Sequence, residues 1–357
     1  MSDKYNIEDH VFLIGKLTSF SHCLDDDTKL FIKRYEDSIK KVFCSALKTR
    51  IAFKQDYYQK KYYPIQKEID KINIYIICEP VFNAWYDLEK NSINLSLYLL
   101  NIFIRLYNFQ NLARGLRTID TMNLDKFKDH IFNVHSRKRR LSEFKILLAE
   151  TPKYEIKEIK GELHLLWFDQ NNYEFEYNGQ CVEHGISLVY CHEMMHWHIN
   201  RFKKEIRDQF IEEAKKMLFF CISEYSFFDI QKFLSIKPDA VEAWAEEICA
   251  DFIAFDMAFA SDNNIKKQKD TYLAIAYYYV ALRVNELVEN DVLNRNEGLK
   301  LNESHPPAAV RELTVMHWRA KVAEMSYIEY MLKMAGPWLY IYSIFDATIT
   351  DLLEEIN

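Results

Sequence analysis

An α+β fold, mainly α-helical with one small mixed or antiparallel sheet, is what this sequence predicts, and two observations carry that expectation. Only seven glycines and seven prolines punctuate 357 residues, so the chain should run in long helices joined by short turns. Against that background, the stretch from 72 to 97 changes texture and gathers β-branched and aromatic residues between turn-formers.

Residues 1–70 read as a helical N-terminal region that ends in a charged, tyrosine-rich stretch, with residues 71–357 forming the main domain. The opening MSDKYNIEDH is polar and acidic where a secretion signal needs basic and then apolar residues. Ile72–Cys78 should be a strand. Phe82–Asp87 and Ile93–Leu97 should be two more, joined by a turn at 89–92. Tyr98–Phe109 reads as an apolar helix, and the basic run Arg137–Arg140 as a solvated loop or helix face. A second pair of strands is expected at His164–Phe168 and Tyr173–Tyr177. The apolar runs 271–282 and 335–345 fall well short of the roughly twenty residues a membrane span needs, so they read as buried helices.

Composition narrows the class. Hydrophobic residues make up 49% of the chain and charged residues 28%, a globular balance. The net charge of −7 gives no reason to expect a nucleic-acid partner. Seven cysteines without paired spacing read as reduced thiols, which suits a soluble cytoplasmic protein with no membrane insertion. Oligomeric state is not legible.

The chemistry concentrates at His192-Glu193-Met194-Met195-His196, an HExxH motif. Residues four apart lie on one helix face, so both imidazoles reach a single ion. Glu193 lies about 100° round the helix, where it can take a proton from water rather than bind metal. The apolar run 185–191 before the motif, with Trp197 and Ile199 after it, marks the helix as buried. Burying two histidines and a glutamate is costly unless something satisfies them, and a metal does so.

A catalytic zinc takes three protein ligands and keeps one open position. Ile199 and Phe202 stand where the longer HExxHxxGxxH arrangement needs glycine and histidine, and His198 points to the other side of the helix from His196. The third ligand is expected at Glu247, in the alanine-rich helix Glu242–Ala254. Asp251, four residues on, would accept the N–H of a ligand histidine and fix its tautomer. Glu246 is the competitor, but its own i+4 neighbour is Ala250.

HExxH followed by Glu-x-x-Ala-Asp resembles the gluzincin metallopeptidases. The third element, Ser304-His305-Pro306-Pro307 with Arg311, resembles the His-Pro segment of the CAAX-prenyl protease and heat-shock membrane protease group. The chain also resembles the soluble, phage-exclusion Lit-type peptidases. The resemblance implies a zincin-like catalytic domain over 71–357, its small sheet packed on the HExxH helix, with one Zn2+ per chain and a protein or peptide substrate. It further implies that His305 lies near the active site and donates to the developing oxyanion, with Arg311 a second candidate for that part. A plainer reading of this segment is a helix start with Ser304 as N-cap, and the two are compatible. Zinc peptidases commonly hold substrate along an exposed sheet edge; the hairpin bearing Asn83, Trp85 and Asn94 is the candidate here. The alternatives are a zinc-binding regulatory protein on a peptidase fold, or a helical interaction protein without metal.

Overall fold

The computed structural model describes residues 11–13, 73–77, 84–96, 99, 102–103, 106, 134–150, 157–159, 162–164, 185–186, 188–197, 199–201, 204–259, 265–290, 301–334 and 336–356. These residues are mainly helical, with one four-stranded sheet and one separate hairpin. Strands β1 (Val11–Leu13), β2 (Asn73–Ile77), β3 (Ala84–Asp87) and β4 (Ser92–Ser96) lie in the order β1-β2-β4-β3. The β1–β2 and β2–β4 pairs are parallel and β3–β4 is antiparallel, so the sheet is mixed.

The expected hairpin is present, with Trp85 opposite Asn94. Its turn is closed by Asp87, whose Oδ1 accepts the Lys90 N–H at 3.0 Å. Asn91 follows at φ 47°, a left-handed conformation that asparagine tolerates well. β4 is buried along its whole length because it has a strand on each side, whereas β3, the terminal strand, is half-buried.

One expectation needs correction. Val11–Leu13 is a strand within the stretch expected to be helical, so the sheet draws on both sides of the boundary placed at residue 70. Val-Phe-Leu is a short, wholly apolar run, and a parallel pairing supplies hydrogen bonds that a local reading cannot see. A separate hairpin joins β5 (Lys157–Ile159) to β6 (Glu162–His164). Apart from His164, the strand pair expected at 164–168 and 173–177 lies outside the described residues.

The helices build the core. Leu99, Ile102, Phe103 and Leu106 are helical, spaced to share one face, and all essentially inaccessible. They are followed by α1 (Val134–Glu150), α2 (helical at 188–197), α3 (Lys204–Glu224), α4 (Phe228–Ile236), α5 (Asp239–Phe259) and α6 (Ile265–Glu289). Then come α7 (Ala308–Val322), α8 (Tyr327–Met334) and α9 (Gly336–Ile356). α7 is central and packs on α3, α5 and α6, while α9 bridges α6 to α1. Phe252 of α5 stacks on Trp318 of α7 with ring centroids 4.4 Å apart.

The basic run on α1 is a helix face, exposed at 137–139 as one reading has it but turned inward at Arg140. Two of its four residues are paired: Arg137 with Asp351 and Glu354, and buried Arg140 with Asp351, all across to α9. The 271–282 run lies inside α6, and no helix among the described residues is long and apolar enough to cross a membrane.

Candidate metal centre

α2 is held by packing along most of its described length. Gly185 at its approach sits against Phe103, and a Cβ there would fall 2.6 Å from the ring, so only glycine allows this packing. Leu188, Val189, Tyr190, Cys191, Met194, Met195 and Trp197 are buried. At the far end Asn200 and Arg201 side chains donate to the carbonyls of His196 and Trp197, satisfying acceptors the helix leaves open. Trp197 Nε1 donates to Asn91 Oδ1 at 3.1 Å, and Tyr86 O–H donates to the same oxygen at 3.2 Å. The β3–β4 turn is thereby tied to the motif helix.

This scaffold brings His192, His196 and Glu247 together as a group able to hold a metal ion. The two Nε2 atoms stand 3.1 Å apart, with Glu247 Oε2 3.2 Å from that of His192 and Glu247 Oε1 3.2 Å from that of His196. One ligand atom from each residue lies within 4.8 Å of the others, and donors about 2.0–2.1 Å from a tetrahedral ion would be about 3.3–3.4 Å apart, so the carboxylate straddles the two imidazoles and small side-chain adjustments suffice to enclose an ion. Chemistry agrees with geometry. His192 Nδ1 donates to Asp251 Oδ1 at 2.8 Å, which leaves the Nε2 lone pair facing the other imidazole and the carboxylate. Converging lone pairs repel unless a cation, a proton or a metal ion, sits among them.

Glu246, by contrast, turns toward α3 and pairs with Arg207. Cys191 and Cys249 are buried thiols outside the group.

Behind the ligands is a saturated carboxylate. Asp251, fully buried, accepts from His192, from Arg311 Nη2 at 2.8 Å and Nε at 2.9 Å, and from Tyr279 O–H at 3.2 Å. Arg311 also donates to Tyr278 O–H at 3.0 Å and reaches Glu247 Oε2 at 3.3 Å. Arg311 is only 4% exposed, with its guanidinium engaged by Asp251, Tyr278 and Glu247. Tyr278 and Tyr279 are the residues sequence reasoning missed; they sit in a run that apolar packing alone explains.

Burial and charge then compete at each group. Burial pushes the His192 imidazole down, but Asp251 and then Glu247 overcome it and raise it to about 10. Burial works against the Glu247 carboxylate, yet the two imidazoles and Arg311 hold it well below its ordinary range. Asp251 is likewise lowered against burial, first by Arg311 and then by His192. Glu193 lies beside the group without joining it, and burial raises its carboxyl despite the two histidines.

His305 stands on the open side, 57% exposed, with Nε2 3.6 Å from Glu247 Oε1; burial of the ring lowers its pKa. Ser304 is not the N-cap of α7. That helix starts after Pro307 without a side-chain cap from its own N-terminal residue, and the Ala308 N–H donates instead to Glu286 Oε1 of α6 at 2.6 Å. Trp85 lies on terminal strand β3, but Asn94 is on interior β4, buried, with its amide donating to Trp85 O at 3.4 Å. Asn94 is therefore not an edge residue, and Asn83 and His198 lie outside the described residues.

No protein-family model matches the chain, and no curated protein or solved structure is detectably similar to it.

Proposed function

We propose that the protein is a zinc metallopeptidase of the gluzincin type that hydrolyses peptide bonds in a protein substrate. One observation carries this reading: His192, His196 and Glu247 converge as a buried group able to hold a metal ion, while Asp251 accepts from Nδ1 of the first. Zinc in such a site supplies Lewis acidity, polarising a carbonyl and acidifying water. The chain's own groups do the rest. Glu193, its carboxyl raised by burial toward the working range, takes a proton from the attacking water and passes it to the leaving nitrogen. Asp251 and Arg311 keep His192 and Glu247 aimed at the same point. An extended substrate adds to terminal strand β3, whose turn is pinned to α2 through Asn91 and Trp197. The resemblance to Lit-type peptidases favours an intracellular target and a role in phage defence or as a toxin.

The test is elemental analysis followed by cleavage. Wild type should hold one zinc per chain, and His192→Ala and Glu247→Ala should lose it. Glu193→Gln should keep zinc and lose all turnover. Zinc retained in Glu247→Ala would refute the ligand set. Zinc bound without any Glu193-dependent cleavage in host extract would leave a zinc-binding regulator instead.

A further inference from the structure

The segment before α7 contains a hydrogen-bond chain that decides what His305 offers to the site. Its atoms are Asn302 Oδ1, the Ser304 N–H at 2.9 Å, Ser304 Oγ at 2.8 Å from the same Oδ1, and His305 Nδ1 at 2.8 Å from that Oγ. A backbone N–H only donates, so the Asn302 atom it meets is the carbonyl oxygen, which only accepts. The single Ser304 hydroxyl proton therefore lies on the Oγ–Oδ1 line, or two acceptors would face each other at contact distance. Oγ is then left as an acceptor toward His305, and Nδ1 must carry the hydrogen. A neutral imidazole has one N–H, so the lone pair falls on Nε2, the atom that faces Glu247 Oε1 at 3.6 Å.

We propose that Asn302 and Ser304 are positioning residues that hold neutral His305 as its Nδ1–H tautomer and present Nε2 to the metal-binding group as an acceptor. The segment is anchored for this task on both sides. Trp244 Nε1, one turn before Glu247 on α5, donates to Asn302 O at 2.9 Å, and Lys237 pairs with Glu303 at 2.7 Å. Beyond His305, Glu286 holds the Ala308 N–H. The frame of the chain is thus fixed to the helix that carries the third ligand. Neutral His305 cannot donate to an oxyanion; it accepts an N–H or O–H of the bound substrate. That consequence for turnover rests on the peptidase reading, whereas the tautomer does not.

The test reads the tautomer directly. Long-range 1H–15N spectra of full-length, metal-free protein labelled at histidine nitrogens, at a pH where the ring is neutral, are assigned with His305→Gln. The expected result is a protonated Nδ1 and a bare Nε2 at His305. Ser304→Ala should move the population toward Nε2–H, and Ser304→Thr should restore the wild-type pattern. An Nε2–H signature in wild type overturns the proposal even if no variant folds, and so does an unchanged tautomer in Ser304→Ala. In a cleavage assay, Ser304→Ala should lower kcat about ten- to a hundredfold with KM little changed, and Ser304→Thr should recover it. Absence of any cleavage by wild type would sink the peptidase reading and leave the spectra to judge the tautomer alone.

Discussion

Glu246 and Glu247 are neighbours in the chain and opposites in the fold. Glu246 faces α3 across a partly solvated gap, its side chain 33% exposed, and has Arg207 as its ion-pair partner. Glu247, a helical step of about 100° away, is 10% exposed and meets two imidazoles and a guanidinium. At the surface, water does most of the stabilising, so the pair adds little. Inside, nothing but the protein can hold the charge, and the partners must converge. They converge incompletely: Glu247 and Asp251 face one Arg311, and a further cation completes the balance. In the metal-free protein a proton on His192, held to about 10, fills that place. A divalent ion would displace it, and uptake should release protons.

The comparison breaks most sharply at Asp251. Asp251→Ala strands Arg311, itself 4% exposed, with Glu247 as its remaining carboxylate and frees His192 Nδ1. Removing one partner of a buried pair costs about 3–5 kcal/mol, and loss of an outer-shell partner weakens metal binding about ten- to a hundredfold. Urea unfolding and a competitive zinc titration measure the two. A loss under about 1 kcal/mol in metal-free protein would show that the back wall does not hold the site.

Glu286 sharpens the same contrast by lying between the extremes. Its carboxylate accepts the Ala308 N–H at the start of α7, yet burial dominates and raises it from 4.5 to about 7. The folded state thus holds this proton more tightly than the unfolded chain. Between pH 4.5 and about 7 stability falls as pH rises, because ionisation is easier in the unfolded chain. Above that window the full penalty, about 3 kcal/mol, is present. Glu286→Gln keeps an acceptor for Ala308 and cannot ionise. Its stability relative to wild type should therefore climb by that amount between pH 4.5 and 8. Urea unfolding at both pH values checks this, and a difference that stays flat with pH would refute it.

What was legible in the sequence follows the reach of each signal. Spacings of four put His192 with His196 and Glu247 with Asp251 on single helix faces, and the structure joins the two faces. The β3–β4 hairpin was equally local, a turn between two strands. What failed was non-local or ambiguous in direction. Val11–Leu13 finds its partner far downstream, across a parallel pairing that leaves no turn to read. Arg311 was visible as a charge near the motif, but nothing local says that α7 turns it inward to Asp251. Tyr278 and Tyr279 sit in an apolar run whose packing hides two hydroxyls directed at Asp251. Ser-x-Pro-Pro fits a helix start with Ser304 as cap, but the first N–H of α7 is met by Glu286 on another helix, a partner no local pattern shows.

The smallest effects test whether the contrast is graded by burial or only by charge. Tyr279→Phe removes one donor from an anion that keeps several others, His192 and Arg311 among them. A hydrogen bond to a charged group contributes about 1.5–3 kcal/mol; with the remaining donors sharing the load, the loss should sit near the low end, with zinc retained. Glu246→Ala removes a whole charge and its ion pair with Arg207, yet the side chain is 33% exposed, so the loss should be about 0–1 kcal/mol and should shrink further in salt. A neutral hydroxyl in the back wall is thus expected to outweigh a formal charge at the rim. Urea unfolding of the two variants at low and high salt decides it. If Glu246→Ala proves the costlier, the site's architecture is organised by charge pairs wherever they lie, and burial is not the variable that separates Glu246 from Glu247.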